Sequence, residues 1–171
     1  ATVANYRLIG YENRVMAAED FRDDTKDAGE IGAGHSVTAL YEIVPRGVAP
    51  GRGAEPLKYQ QQPEPPVLKG TDGEPSDDLL TVKLRWKQPE GSASTLKEFP
   101  LADRGGVFEE ASDDLRFASA VASFGMLLRG SKESGEMTYK KVGQIAGEAL
   151  GADPGSYRAE FTDLVRKAMK K

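Results

Sequence analysis

Residues 19–45 read EDFRDDTKDAGEIGAGHSVTALYEIVP, and this stretch decides the fold because its character changes halfway along. The first half carries the acids Glu19, Asp20, Asp23, Asp24, Asp27 and Glu30, mixed with Thr and Gly. Such side chains bond to nearby backbone and so favour turns over ladders. The chain then passes a Gly-Ala-Gly corner at residues 32–34 and becomes a strand. Val37, Ala39, Tyr41 and Ile43 point one way, while Thr38, Leu40, Glu42 and Val44 point the other. The first side is the expected core side, with Leu40 and Val44 leaving the second only partly wet. A polar corner feeding such a strand is the mark of an antiparallel β-architecture.

The neighbouring segments agree. Residues 6–15, YRLIGYENRV, read as a strand that bends at Gly10, and residues 15–21 have the composition of one or two helical turns. From residue 45 to 78 the pattern vanishes. Seven of the ten prolines and five glycines lie there, which predicts a long, partly polyproline-like excursion with Leu57, Lys58 and Tyr59 as its anchoring point. Residues 79–87, LLTVKLRWK, alternate cleanly: Leu80, Val82, Leu84 and Trp86 form an apolar side that should be core. A turn at residues 89–92 leads to a hairpin partner at 95–101.

Beyond Gly106 the period changes from two to about 3.6. Ser112, Asp113 and Asp114 cap a helix that runs to about Leu128. Its inward stripe is read as Leu115, Ala118, Val121, Ala122 and Gly125, small enough to let another backbone approach closely. A second helix starts near Thr138, turns Val142, Ile145, Ala146 and Ala149 inward, and closes at Gly151. A third starts at Asp153-Pro154, with Tyr157, Phe161, Leu164, Val165, Ala168 and Met169 at helical spacing. Strands followed by helices predict an α+β fold. An antiparallel β-sandwich-like unit, with strands at 6–14, 36–44, 79–87 and 95–101, occupies residues 1–106. A helical subdomain, 107–171, packs on it.

The chain of 171 residues is long enough to bury a core, although its hydrophobic fraction is only 39%. A net charge of −4 argues against a nucleic-acid partner. With no cysteine and one histidine, thiol chemistry, disulfides and zinc are excluded. The longest apolar run, 117–128, is too short to span a bilayer, so no direct membrane insertion is expected. The opening Ala-Thr-Val-Ala, without an initiator Met or signal segment, reads as a piece cut from a longer protein.

Constellations that could carry chemistry are few. Residues 29–36, GEIGAGHS, fit a phosphate loop except that His35 replaces its lysine, and a strand follows where the loop needs a helix. His35 and Ser36, adjacent on an extended chain, point to opposite sides, so neither activates the other. Ser94-x-x-Lys97 lies in a strand, where that spacing separates hydroxyl from amine. Lys167, Lys170 and Lys171 end a helix, where cations suit the dipole. The acids from 19 to 30 could ligate calcium, a hard ion wanting several oxygens. An EF-hand loop starting at Asp23 fails, because Ala28 stands where glycine is needed and Gly34 where glutamate is needed. An irregular site of Asp23, Asp24, Asp27 and Glu30 is the alternative.

Taken together, YRLIGYENR, the segment 19–45, LLTVKLRWKQP, FASAVASFGMLLRGS and YRAEFTDLV resemble the C-terminal domain of unknown function that follows a von Willebrand factor type A domain in bacterial proteins. The resemblance covers most of the chain outside the 45–78 excursion. It implies a cell-envelope protein whose parent chain bears a signal or lipoprotein segment, and it implies no assigned activity. The metal-binding Asp-x-Ser-x-Ser motif of type A domains is absent here, so no metal residue carries over. The expected function is a non-catalytic accessory module that contacts protein, including the type A domain of its parent chain, with no catalytic residue and no cofactor. The alternative is a calcium-dependent adhesion or ligand-binding module using the acidic loop, and a third, in another class, is an enzyme built on His35 with nearby carboxylates.

Overall fold

The computed structural model describes residues 3–10, 17, 19–26, 31–32, 34–45, 78–89 and 91–170. Their architecture is mixed α+β, with antiparallel strands first and helices last. The chain divides into two compact units, a stranded one ending at Arg104 and a helical one from Gly105 onward. The 46–77 part of the excursion, Tyr11 to Met16 of the first segment, and Asp27 and Glu30 lie outside the described residues.

In the stranded unit, β1 (Val3–Ile9) pairs antiparallel with β2 (Leu40–Pro45), and β3 (Asp78–Lys87) pairs antiparallel with β4 (Ser94–Ala102). The sandwich-like strands therefore form two small antiparallel sheets of two strands each. Register puts Arg7 opposite Glu42, and the two form an ion pair. Each sheet carries a register shift at one end, between Val3 and Asn5 and between Asp78 and Leu80. The predicted second strand is shorter than expected. Residues 35–39 lie outside any strand, and Val37 is exposed. Tyr41, expected inside, is also exposed, whereas Ile43 is half-buried as expected and so are Leu40 and Val44 of the other side, so β2 has no single dry side.

In the helical unit, α1 (Asp113–Leu128) begins at Ser112, whose Oγ accepts the Leu115 N–H at 3.2 Å. It ends in a closed turn: Ser131 N–H donates to the Met126 carbonyl at 2.9 Å and Gly130 N–H to the Leu127 carbonyl at 3.1 Å. Gly130 sits at φ +62°, a left-handed conformation that glycine takes without a Cβ clash. Helix α2 (Tyr139–Glu148) is capped by Thr138. The first turn of α3 (Tyr157–Ala168) is capped not by Ser156 but by Asp153, whose two oxygens accept the Arg158 and Ala159 N–H groups at 3.1 and 3.0 Å.

The core joins the three helices through Ala120, Phe124, Val142, Ala146 and Val165. Phe161 meets Phe117 and Phe124 edge-on at 5.3 and 5.4 Å, and Phe124 meets Tyr139 at 5.8 Å. Val142, Ala146 and Ala149 are buried as the sequence predicted, but Tyr157, read as part of the third helix's apolar pattern, is 78% exposed. The inward stripe of α1 also differs from the expectation. Its buried residues are Ala120, Ser123, Phe124 and Met126, and the predicted stripe lies on the other side. Helix α1 is apolar on both sides, so period alone cannot choose between them. The side bearing the two phenylalanines fills more core volume and faces in.

Candidate functional site

The acidic loop is tied down by its own side chains and by the second hairpin. Asp23 Oδ1 accepts the Thr25 N–H at 2.9 Å and its hydroxyl at 2.6 Å, a local turn that holds its carboxyl below the usual carboxylate range. Asp24 reaches across to β3 and β4: Arg85 Nη2 donates to its Oδ1 at 2.9 Å, and Ser94 N–H points to its Oδ2 at 3.4 Å. Hydrogen bonding from Ser94, with Arg85 and Lys87 nearby, lowers its pKa as well. Arg85 further donates to the Phe21 carbonyl at 2.8 Å and to Ser94 Oγ at 2.9 Å, and Lys87 Nζ donates to the Asp24 carbonyl. Asp20 pairs with Lys26 at 3.4 Å.

Of the calcium alternative's four residues, Asp23 and Asp24 thus sit side by side but serve internal partners, and Asp27 and Glu30 lie outside the described residues. Among the described residues no three acids or histidines gather as an ion site.

His35 is exposed at the corner. Its backbone N–H donates to the Gly32 carbonyl at 3.1 Å, and its ring lies over Gly32, where a Cβ would come within 3.0 Å of Nδ1. That close approach, together with φ +77° at Gly34, explains the glycines of the corner. Ser94 and Lys97 face opposite sides of β4. Ser94 bonds Arg85, and Lys97 Nζ lies 4.9 Å over the Phe99 ring.

The second hairpin has two unlike sides. One carries Lys83, paired with Glu98 at 2.7 Å, together with Arg85 and Lys87. The other brings Val82, Leu84 and Trp86 beside Phe99 and Leu101, with Lys97 among them, through the register Val82 to Phe99, Leu80 to Leu101, Leu84 to Lys97 and Trp86 to Thr95. These five large apolar side chains are each between 40% and 54% exposed. Trp86, expected in a core, is on this side and 41% exposed.

In the helical unit two arginines close the end of α2. Arg158 donates to the Ala149 carbonyl at 3.0 Å, pairs with Asp114 and lies 4.9 Å from the Phe117 ring. Arg116 donates to Asp113 at 2.9 Å and to the Glu148 carbonyl at 3.3 Å. Beside it a groove of about 220 Å³ has Phe108 and Ile145 in its wall. Its charges balance, Arg116 and Lys141 against Glu109 and Glu148, so no sign of ligand is selected. Sequence reasoning missed Arg85, Arg116 and Arg158 as organising groups. Alternation placed Arg85 on the polar side of its strand, but nothing in the sequence couples it to a loop 61 residues earlier.

Among the described residues these features define an α+β chain whose polar groups serve internal partners and whose second hairpin has a partly exposed apolar side. The family model described as "Uncharacterized protein YfbK, C-terminal" matches residues 1–170, and the chain belongs to that family. It is 39% identical over 168 residues to the "Uncharacterized protein YfbK" of Escherichia coli (strain K12), a match covering 98% of this chain and 28% of that protein's length. No solved structure matches it.

Proposed function

We propose that this domain is a non-catalytic accessory module that contacts protein through the apolar side of β3 and β4. In its parent chain it would flank a von Willebrand type A domain at the cell envelope, as the sequence resemblance implies. The observation that carries the reading is the row Val82, Leu84, Trp86, Phe99 and Leu101, large and partly exposed apolar side chains on one side of the hairpin, with the Lys97 ammonium lying over Phe99 as the charged group among them. Contiguous exposed apolar surface on a folded unit marks a contact site, and aromatic residues anchor such contacts. The polar groups around it support the same reading, since Arg85, Ser94 and Asp24 satisfy one another and present no activated nucleophile.

The test uses calorimetric titration of this chain against the separately produced remainder of a full-length family member. Binding that weakens at least tenfold in the double variant Leu84→Ser/Trp86→Ser is the expected result. No binding, or binding indifferent to that variant, overturns the proposal.

A further inference from the structure

Helix α1 turns its second apolar side to solvent. At 100° per residue, Ala120, Phe124 and Leu127 lie on one side, the half-buried Ala118, Ala122 and Gly125 lie opposite, and Leu115, Val121 and Leu128 flank them. Leu115, Val121 and Leu128 are between 42% and 59% exposed. From Leu115 to Leu128 the helix has a single charged residue, Arg116, which is held on another side by Asp113 and the Glu148 carbonyl. A surface helix ordinarily turns charge outward, and a helix apolar all round is covered all round. Gly125, at the middle of this side, is the second observation. Among the described residues a Cβ there would meet nothing within 4 Å, so none of them demands a residue that weakens a helix interior.

We infer that the occupant of this side is the same helix of a second copy, running antiparallel, with the two-fold axis between Val121 and Ala122. That axis sets Gly125 against Ala118, Val121 against Ala122, Leu128 against Leu115 and Arg129 against Asp114. Each pair occurs twice, as an isologous contact requires. Small residues at 118 and 125 let the axes come close.

Charge fixes the direction. Glu110, Asp113 and Asp114 stand at the start of α1, and Arg129 and Lys132 stand just past its end. Parallel copies would set like charges together at both ends, whereas antiparallel copies set opposite charges together and also oppose their helix dipoles. The Asp114 side chain is 84% exposed, and Arg158 occupies only one of its oxygens.

A single pair of helices gives an interface below the standard of roughly 1,600 Å², so the dimer is weak, with Kd on the order of 100 µM. This inference concerns the helical unit and is independent of the hairpin surface proposed above. Sedimentation equilibrium of the 171-residue chain, from about 5 to about 500 µM, reads it directly. The weight-average mass should rise toward twice the monomer. Gly125→Leu fills space that is open in one copy but occupied in the pair, so it should weaken dimerisation at least tenfold with helical circular dichroism unchanged. Arg129→Glu should weaken it several-fold. Should the leucine disturb the helix, Ala118→Glu interrogates the same seam. A monomer at every concentration overturns the inference, as does a dimer that both Gly125→Leu and Ala118→Glu leave intact.

Discussion

Every fully buried side chain among the described residues belongs to the helical unit, from Ala120 to Val165, and the four strands contribute none. The helical unit is held by burial, which is non-directional and grows with the apolar area removed from water. The stranded unit is held by directional ties: two hairpin ladders, the pairs Arg7–Glu42 and Lys83–Glu98, and the arginine that joins Asp24 to β3. Exposed pairs contribute about 0–1 kcal/mol each, and an isolated two-stranded sheet is marginal. The contrast shows that apolar side chains on the two units serve different ends. Those of the helices make a core, and those of the second hairpin stay available to a partner.

The largest effect tests that contrast from the helical side. Phe124 touches the rings of both Phe161 and Tyr139. Phe124→Ala should destabilise the helices by about 3–5 kcal/mol, the transfer loss plus the cavity it leaves. Urea unfolding followed by far-ultraviolet circular dichroism measures the loss. Hydrogen exchange in the same variant sharpens the comparison: β3 and β4 amides should keep their protection. A parallel loss there would show that the two units stand or fall together.

How much of this was legible in the sequence depended on which physical signal carried it. Caps were readable because they act within four residues. Ser112 and Thr138 start their helices as predicted, and Asp153 anchors the third. Strand pairing at 79–87 and 95–101 was readable because alternation and a short turn are local. Which side faces in was not readable. Helix α1 and strand β2 have apolar residues on both sides, and choosing a side depends on neighbours distant in sequence. The tie from Arg85 to Asp24 was hidden for the same reason, since charge on a strand's polar side does not name its partner. The acidic loop was read as a turn whose side chains bond to nearby backbone, and Asp23 behaves so toward Thr25, while Asp24 reaches the second hairpin instead.

The second effect is a pH response of the stranded unit. Asp23 and Asp24 both have folded pKa values below the ordinary carboxylate value, through hydrogen bonds from Thr25 and from Ser94 with Arg85. A carboxyl whose pKa falls on folding stabilises the fold above its unfolded value, about 3.9, and that contribution disappears as pH drops through the folded value. Protonation of Asp24 as pH falls through its lowered value should therefore release residues 20–26 from the hairpin. Asp24→Asn should already show the released loop at neutral pH, as faster amide exchange at Thr25 and Ser94. Equal protection in wild type and variant would break the claim that this carboxylate fastens the loop.

The smallest expected effect is the most informative about the hairpin. A buried tryptophan truncated to a small residue ordinarily costs about 3–5 kcal/mol. Trp86 is 41% exposed, and its cross-strand neighbour is Thr95. Trp86→Ser should thus change the thermal midpoint of this chain by no more than an ordinary surface substitution, within about 0.5 kcal/mol. Thermal melting of the isolated chain settles the size. A loss of several kcal/mol would mean that the tryptophan is core in solution, and the apolar side of β3 and β4 would then be part of the domain's own packing instead of a surface offered to another protein. A negligible loss leaves a large aromatic on a strand with no structural work to do, which is the condition a contact surface has to meet.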